Sequence, residues 1–130
     1  MKIHIIRQSV TQKEAREIAM RNLPKMRDRY LRDPRPVRLG NLASNFLRLS
    51  NWLRNRRPDE AVVQLMREIA WVLEWSGDLE SKELADMQRE ICRWRLVWPL
   101  DTARSILAFR THQMSGWLLE LSGLLEEGEG

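Results

Sequence analysis

The sequence predicts an all-α protein, an antiparallel four-helix bundle preceded by a basic N-terminal arm. Three observations support this fold class. From residue 39 onward, apolar residues recur at steps of three and four, which is the period of an amphipathic helix. Short loops separate the helical segments, and short loops favour antiparallel neighbours. A chain of 130 residues has the length of one domain and can bury a sizeable core.

The basic arm is predicted to span residues 1–38 and to contain a short strand and a kinked helix. Residues 2–8 (KIHIIRQ) could form the strand. It must pair with another copy or lie on the helices, because a lone strand leaves its backbone groups unsatisfied. Thr11 and Glu14 then have the spacing of a capping box at the start of the helix.

The end of the arm is marked by prolines. Pro24 interrupts the helix and predicts a kink or a restart near Asn22, because proline cannot donate the backbone hydrogen bond of a helix interior. Residues 33–36 (DPRP) favour extended backbone and predict a linker to the bundle.

The bundle is predicted to occupy residues 39–125, followed by an acidic tail, 126–130, that is expected to fray. Its first two helices are expected over residues 39–56 and 58–75, the third before Pro99, and the fourth after Asp101. One apolar stripe on each helix should face the core. The stripes are Leu42, Phe46, Leu49 and Leu53; Val62, Leu65, Ile69 and Val72; Leu84, Met87, Ile91, Trp94 and Trp98; and Ala103, Ile106, Leu107, Met114, Trp117, Leu118, Leu121 and Leu125.

The six tryptophans divide into two groups when residues are placed at 100° steps around each helix. Trp94, Trp98 and Trp117 fall within the apolar stripes and are expected in the core. Trp71 lies nearly opposite its stripe, and Trp52 and Trp75 lie at the margins of theirs. Because exposed aromatic residues commonly anchor partners, Trp52, Trp71 and Trp75 form a predicted partner-binding surface. The alternative is that the N-terminal arm covers them.

Secondary apolar strips also run along two helices. Ala85, Cys92 and Leu96 share the back of the third helix, and Ala108, His112 and Leu119 form a weaker strip on the fourth. On such a strip Cys92 is expected to be a small buried hydrophobic residue and not a nucleophile.

One arginine falls in an apolar stripe. Arg110 lies between Ile106, Leu107 and Met114 and is predicted to be a buried polar residue. A buried guanidinium group needs a carboxylate partner or a route to water. The candidate partners are Glu68, Glu74 and Glu90.

Charge is distributed unevenly along the chain. Residues 1–57 have a net charge of +11 and residues 58–130 a net charge of −7, which together give +4. The basic half could attract an acidic partner or lie against the acidic half of its own chain or of a second copy. A nucleic-acid interface is a further alternative, with sequence-independent phosphate contacts. Its candidate residues are Arg21, Lys25, Arg27, Arg29, Arg32, Arg35 and Arg38.

No catalytic, metal-binding or cofactor-binding motif is recognisable. His4 and His112 are far apart and have no ligand at metal-binding spacing, and no glycine-rich phosphate loop is present. We therefore expect no enzyme activity, no cofactor and no small-molecule substrate. No apolar run reaches the length of a membrane span, and the single Cys92 fits a reducing compartment, so a cytoplasmic location is expected.

Residues 39–125 resemble a group of small cyanobacterial all-helical proteins. The resemblance is carried by Leu42, Ala43, Asn45, Arg48, the segment 68–75, Gln88, Trp94, Trp98 and the segment 117–125. It implies a cytoplasmic protein of a photosynthetic bacterium and assigns no activity.

The sequence thus favours a non-catalytic adaptor or assembly protein. It would dock another protein through Trp52, Trp71 and Trp75, as a monomer or a homodimer, while the basic arm guides association. A nucleic-acid-associated regulator that uses the arm is the alternative function.

Overall fold

A computed structural model describes residues 12–99 and 103–123, with side chains described from Asn22 onward. Within these ranges the regular structure is entirely helical, so the predicted all-α class is confirmed. The elements are α1 (Gln12–Arg32), α2 (Arg35–Arg54), α3 (Asp59–Trp75), a short 3₁₀ helix (Ser76–Leu79), α4 (Lys82–Val97) and α5 (Arg104–Ser122). The chain divides into two compact units, residues 1–32 and residues 33–130.

The first unit contains α1, which continues through Pro24. The predicted restart near Asn22 is not observed, since the helix is assigned without a break from Gln12 to Arg32. One proline removes one backbone donor, and the turns on both sides of it keep their own hydrogen bonds. The predicted strand over residues 2–8 and the capping residue Thr11 lie outside the described residues.

The second unit begins with a shorter linker than the sequence predicted. The break in the helices covers only Asp33 and Pro34, and α2 begins at Arg35, four residues before the predicted start at residue 39. Pro34 takes the extended conformation (φ −66°, ψ 158°) as the N-cap, and Pro36 lies in the first turn. Proline is tolerated there because backbone N–H groups of a first helical turn have no partner within the helix. The linker prediction for residues 35 and 36 was therefore wrong.

Helices α2 and α5 form the most closely packed pair of the second unit. The Ser50 hydroxyl donates to the Ala108 carbonyl (2.7 Å), and the Ser115 hydroxyl donates to the Ala43 carbonyl (2.8 Å). The two reciprocal bonds place residue 43 level with 115 and residue 50 level with 108, so the helices run antiparallel. Small residues seven apart on both helices allow the two backbones to approach closely enough for these bonds.

The other helices complete the core. Helix α3 packs on both α2 and α4. The buried apolar side chains include Leu42, Phe46, Leu49, Leu53, Val62, Leu65, Met66, Ile69, Leu73, Leu84, Met87, Ile91, Leu107, Met114 and Leu118. Burial of each such side chain contributes about 1.5–3 kcal/mol relative to its exposure, so this cluster provides most of the stabilisation of the unit.

Most predicted stripe residues agree with this core. Val72, Trp94, Trp98, Ala103 and Leu121 are partly buried against it. Ile106 and Trp117 are exposed, which contradicts their predicted core positions, and Leu125 lies outside the described residues. In the described ranges, no helix combines the length and the apolar character needed to cross a membrane.

Candidate protein-binding surface

The three tryptophans of the predicted partner-binding surface are each half-buried. Trp52 lies between two guanidinium groups, with Arg48 5.5 Å and Arg57 5.3 Å from the ring centroid. These cation–π distances mean that charged groups of the chain itself share the Trp52 ring. Trp71 and Trp75 also have only part of their surface open to solvent. A role of Trp52, Trp71 and Trp75 in docking remains a prediction.

Among the described side chains, the largest uncharged exposed surface on a single helix lies elsewhere, on α5. All residues of this helix are described, and eight of them are exposed. Glu120 is the charged member of the eight. The other seven define what we call the α5 outer face: Ser105, Ile106, Phe109, His112, Gln113, Gly116 and Trp117. By contrast, four of the eight exposed residues on α4 are Lys, Arg or Asp.

Three large apolar side chains dominate the α5 outer face. Ile106 is 68% exposed, Phe109 66% and Trp117 41%. They lie roughly 120–160° around the helix from Thr111, the fully buried residue at the middle of the contact with α2. The outer face therefore points away from the core of the second unit.

The exposure of Trp117 and Ile106 corrects the sequence prediction, and the cause is the position of the small residues of α5. Ala108 and Ser115 draw α5 against α2, so the buried side of the helix is centred near Thr111. Apolar residues occur around the whole circumference of α5, and a periodicity argument cannot identify the core side of such a helix.

Gly116 is the second unusual feature of the outer face. A Cβ atom built at this position would meet nothing within 4 Å, so packing within the chain does not require glycine there. A glycine inside a helix costs about 0.5–1 kcal/mol relative to alanine. The fold of the second unit gives no reason for this residue, whereas close approach of another molecule would give one.

Arg110 borders this face and is not the buried residue that the sequence predicted. Its side chain is 42% exposed and its guanidinium group lies 3.1 Å from the Glu90 carboxylate on α4. Of the three predicted partners, Glu90 is therefore the observed one. Because Arg110 lies at the edge of the buried side of α5, its long side chain reaches water directly.

The buried arginine of α5 is Arg104. Its guanidinium group donates to the Leu53 and Arg57 carbonyls (3.3 and 2.7 Å) and to the Asp59 carboxylate (2.9 Å). The last carbonyls of α2 lack partners within their helix, and Arg104 supplies donors to this region. It also lies 5.2 Å from the Trp98 ring. No periodicity in the sequence distinguishes this structural role from that of an ordinary surface arginine.

Arg38 is the second buried arginine, although the sequence placed it among the candidate phosphate-binding residues. It donates to both carboxylate oxygens of Asp78 (2.8 and 2.7 Å) and to the Trp75 carbonyl (3.2 Å). This hydrogen bonding lowers the pKa of Asp78 from its usual value. A guanidinium group that is 4% exposed and paired in this way cannot reach a nucleic-acid backbone, so the prediction for Arg38 was wrong.

The remaining basic candidates keep an accessible position where they are described. Lys25, Arg27, Arg29 and Arg32 are exposed on α1, and Arg35 is exposed at the start of α2. The side chain of Arg21 lies outside the described residues.

The secondary strip on α4 is open to solvent. Ala85, Cys92 and Leu96 are all exposed, and Leu96 is 85% exposed. The expectation that Cys92 is buried was therefore wrong, because α3 packs on the opposite part of α4, where Leu84, Met87 and Ile91 are buried. The weaker strip on α5 does not form one surface, since Ala108 is buried, Leu119 is half-buried and His112 is exposed.

The described residues bring together no three His, Cys, Asp or Glu side chains that could hold a metal ion. The site that the geometry singles out is the α5 outer face, a surface suited to packing against another molecule.

No family model, curated protein or solved structure matches this chain. The resemblance of residues 39–125 to small cyanobacterial helical proteins therefore remains a prediction.

Proposed function

We propose that this protein is a non-catalytic adaptor or assembly protein that binds another protein through the α5 outer face. The observation that carries the proposal is the exposure of Ile106, Phe109 and Trp117 on a face that carries no formal charge from Ser105 to Trp117. The cores of protein interfaces are depleted of charged residues and enriched in aromatic ones, as this face is.

The amount of apolar surface supports the same function. Ile106, Phe109 and Trp117 expose apolar area on the order of 400 Å², which is the size of the largest patch on a typical monomer and is often functional. Leu47 on α2 is a further exposed apolar residue, at 40%, and the pairing of α2 with α5 places it level with Thr111 along the helix axis.

The scaffold that we propose for this surface is an antiparallel four-helix bundle made by α2, α3, α4 and α5. Its support is the antiparallel pairing of α2 with α5 and the packing of α3 on two helices. In such a bundle α5 presents its outer face on a rigid element, so little ordering is needed on binding.

A site-specific photo-crosslinker tests the function directly. We would place a photoreactive phenylalanine at Phe109, at Trp71 and at Leu96 in separate full-length proteins and irradiate cells that express them. The proposal expects protein crosslinks from position 109 at a yield well above that from position 96. Crosslinks from position 71 alone would instead support the surface predicted from the sequence. Absence of crosslinks from position 109 would contradict the proposal.

A nucleic-acid-associated regulator is the second candidate function. It is favoured by the exposure of Lys25, Arg27, Arg29 and Arg32 within one short stretch of α1. Binding of a mixed-sequence duplex should then weaken steeply with salt, with a slope of log K against log salt near −0.9 for each phosphate contacted. Replacement of these four residues by Gln should abolish binding, and a shallow salt slope would exclude this mode.

A further inference from the structure

We propose that the molecule covering the α5 outer face is a second copy of this chain, with the two α5 helices packed antiparallel about a two-fold axis. This inference rests on the proposed function, because it identifies the partner of the same surface. Four observations support it: the charge of the face, the spacing of its residues, the open space at Gly116 and the position of Glu120.

The charge of the face suits self-association. A surface that meets an identical surface also meets its own charges, and like charges placed opposite each other are unfavourable. The α5 outer face avoids this because it carries no charge, although the chain as a whole has a net charge of +4. An acidic or basic partner would find no complementary charge here. The neighbouring Arg110 is already paired with Glu90.

The spacing of the face suits a second helix. Ile106, Phe109, Gln113 and Gly116 follow one another at steps of three, four and three, which is the pattern of a seam between two packed helices. An antiparallel partner in this pattern places Ile106 of each copy against Gly116 of the other, and Phe109 against Gln113. The long side chain thus meets the residue without a Cβ, in the open space that the structure shows beside Gly116.

Glu120 determines the direction of the pairing. A parallel arrangement would place the two Glu120 carboxylates together at one end of the seam. The antiparallel arrangement places each carboxylate near the first turn of the partner's α5, where the helix dipole favours a negative charge. The same chain already packs α5 antiparallel on α2 through small residues, so this helix is suited to such a contact.

The area predicts a reversible dimer. With Leu47 and the exposed helix backbone included, each copy would bury roughly 600–800 Å², at the lower end of stable interfaces. We therefore expect a dissociation constant in the micromolar range.

Sedimentation equilibrium of the full-length protein across the micromolar range tests the inference. The wild type should form a dimer. Phe109→Glu should raise the dissociation constant by about 30-fold or more, as expected for an anchor at the centre of an interface. Gly116→Ala should also raise it, by roughly tenfold, because a methyl group fills the space that Ile106 of the partner needs. Leu96→Glu is the matched control, since it replaces another exposed apolar residue, on α4, and it should leave the dimer unchanged.

Circular dichroism of each variant distinguishes loss of the dimer from loss of the fold, because a folded variant keeps the helix content of the wild type. Gly116→Ala is the sharpest variant in this respect, because alanine favours the helix while it opposes the pairing. A Gly116→Ala protein that dimerises as well as the wild type would contradict the proposed arrangement.

Disulfide formation tests the direction of the helices. In a Cys92→Ser background, Gln113→Cys lies near the two-fold axis and should form a disulfide between copies under mild oxidation. Glu120→Cys should not, because the antiparallel pairing separates the two residues by roughly 27 Å. Disulfides at both positions would indicate a parallel dimer, in which each residue faces its own counterpart, and would overturn the arrangement.

The failure of this inference and the failure of the proposed function give different results. A wild-type protein that stays monomeric at all concentrations overturns the inference. If photo-crosslinks from position 109 then join a different protein, the proposed function stands with another partner. If those crosslinks join position 109 to residues 1–11 of the same chain, the N-terminal segment covers the face and both proposals fail.

Discussion

Helices α3 and α5 are both rich in apolar residues, but they differ in the charge of their exposed residues. Three residues of α3 are exposed, Asp59, Glu60 and Glu74, and all three are acidic. Eight residues of α5 are exposed, and one of them, Glu120, is charged. Helix α3 is covered by α2 and α4, whereas the extensive packing of α5 is with α2.

The difference between the two helices lies in the charge of the face that has no packing partner among the described residues of the second unit. A helix that packs on two neighbours needs charged residues only at its exposed positions. In α3 these positions lie near the two ends of the helix, and each carries a carboxylate. A helix with one extensively packed neighbour should carry charges along its open side, and α5 lacks them. Exposure alone does not distinguish a docking surface. The absence of charge over roughly three and a half helical turns is the second feature on which the proposal for α5 rests.

The largest expected effect contrasts the two sides of α5. Ser115→Leu should lower the free energy of unfolding by about 3 kcal/mol, because it overfills the close contact with α2 and removes the bond to the Ala43 carbonyl. Gln113→Leu introduces the same side chain on the outer face and, at protein concentrations well below the dissociation constant of the dimer, should change the free energy of unfolding by less than about 0.5 kcal/mol. Urea unfolding measures both values. Equal losses would show that the outer face is packed as tightly as the inner one.

The second effect contrasts the two arginines of α5. Arg104→Met keeps the apolar stem but leaves the Leu53 and Arg57 carbonyls and the Asp59 carboxylate without their donor. It should lower the free energy of unfolding by about 2 kcal/mol. Arg110→Met removes a half-exposed ion pair and should cost less than about 0.5 kcal/mol. Urea unfolding measures the free energy of unfolding of both variants. A larger loss of this free energy in Arg110→Met than in Arg104→Met would contradict the burial of Arg104 and the exposure of Arg110.

The sequence predicted the positions of the helices better than the buried side of each helix. The period of the apolar residues located the helices well, and residues 58–75 agree with α3 to within one residue. For α3, the residues Val62, Leu65 and Ile69 were correctly assigned to the core, because one side of that helix is clearly apolar.

On α5 the same reasoning was wrong for Ile106, Trp117 and Arg110. The buried direction of this helix is determined by Ala108 and Ser115, whose short side chains allow α2 to approach. Small residues give almost no hydrophobic signal, so the sequence pattern alone cannot reveal a contact that depends on them. For the same reason Phe109, the centre of the candidate surface, was not identified from the sequence.

A smaller effect depends on pH and concerns the link between α2 and the 3₁₀ helix. Hydrogen bonds from Arg38 lower the pKa of Asp78, so its ionised form is favoured in the folded protein. The resulting stabilisation is present above the pKa of the unfolded chain, about 3.9, and is lost as the pH falls through the lower pKa of the folded state. Because Asp78 is more than half exposed, we expect this stabilisation to be about 1 kcal/mol or less.

The measurement is the urea midpoint of the wild type and of Asp78→Asn between pH 6 and a pH below 3. The variant should be less stable at pH 6, and the difference should shrink once the pH falls below about 4. A difference that is constant over this range would show that Asp78 acts through its shape and not through its charge.

The smallest expected effect is a stabilisation, and it concerns two neighbouring residues on the two sides of α5. In a Phe109→Glu background, which keeps the protein monomeric if the dimer exists, Gly116→Ala should raise the free energy of unfolding by about 0.5–1 kcal/mol. The alanine methyl group meets nothing within the chain, and alanine favours the helix. Ser115→Ala, one residue away on the inner side, is the control, and it should destabilise because the bond to the Ala43 carbonyl is lost. A stabilised Gly116→Ala monomer would show that folding gains nothing from this glycine, which leaves association as its physical reason. A destabilised one would mean that Gly116 serves the fold itself, and the case for a second copy at this face would lose its strongest support.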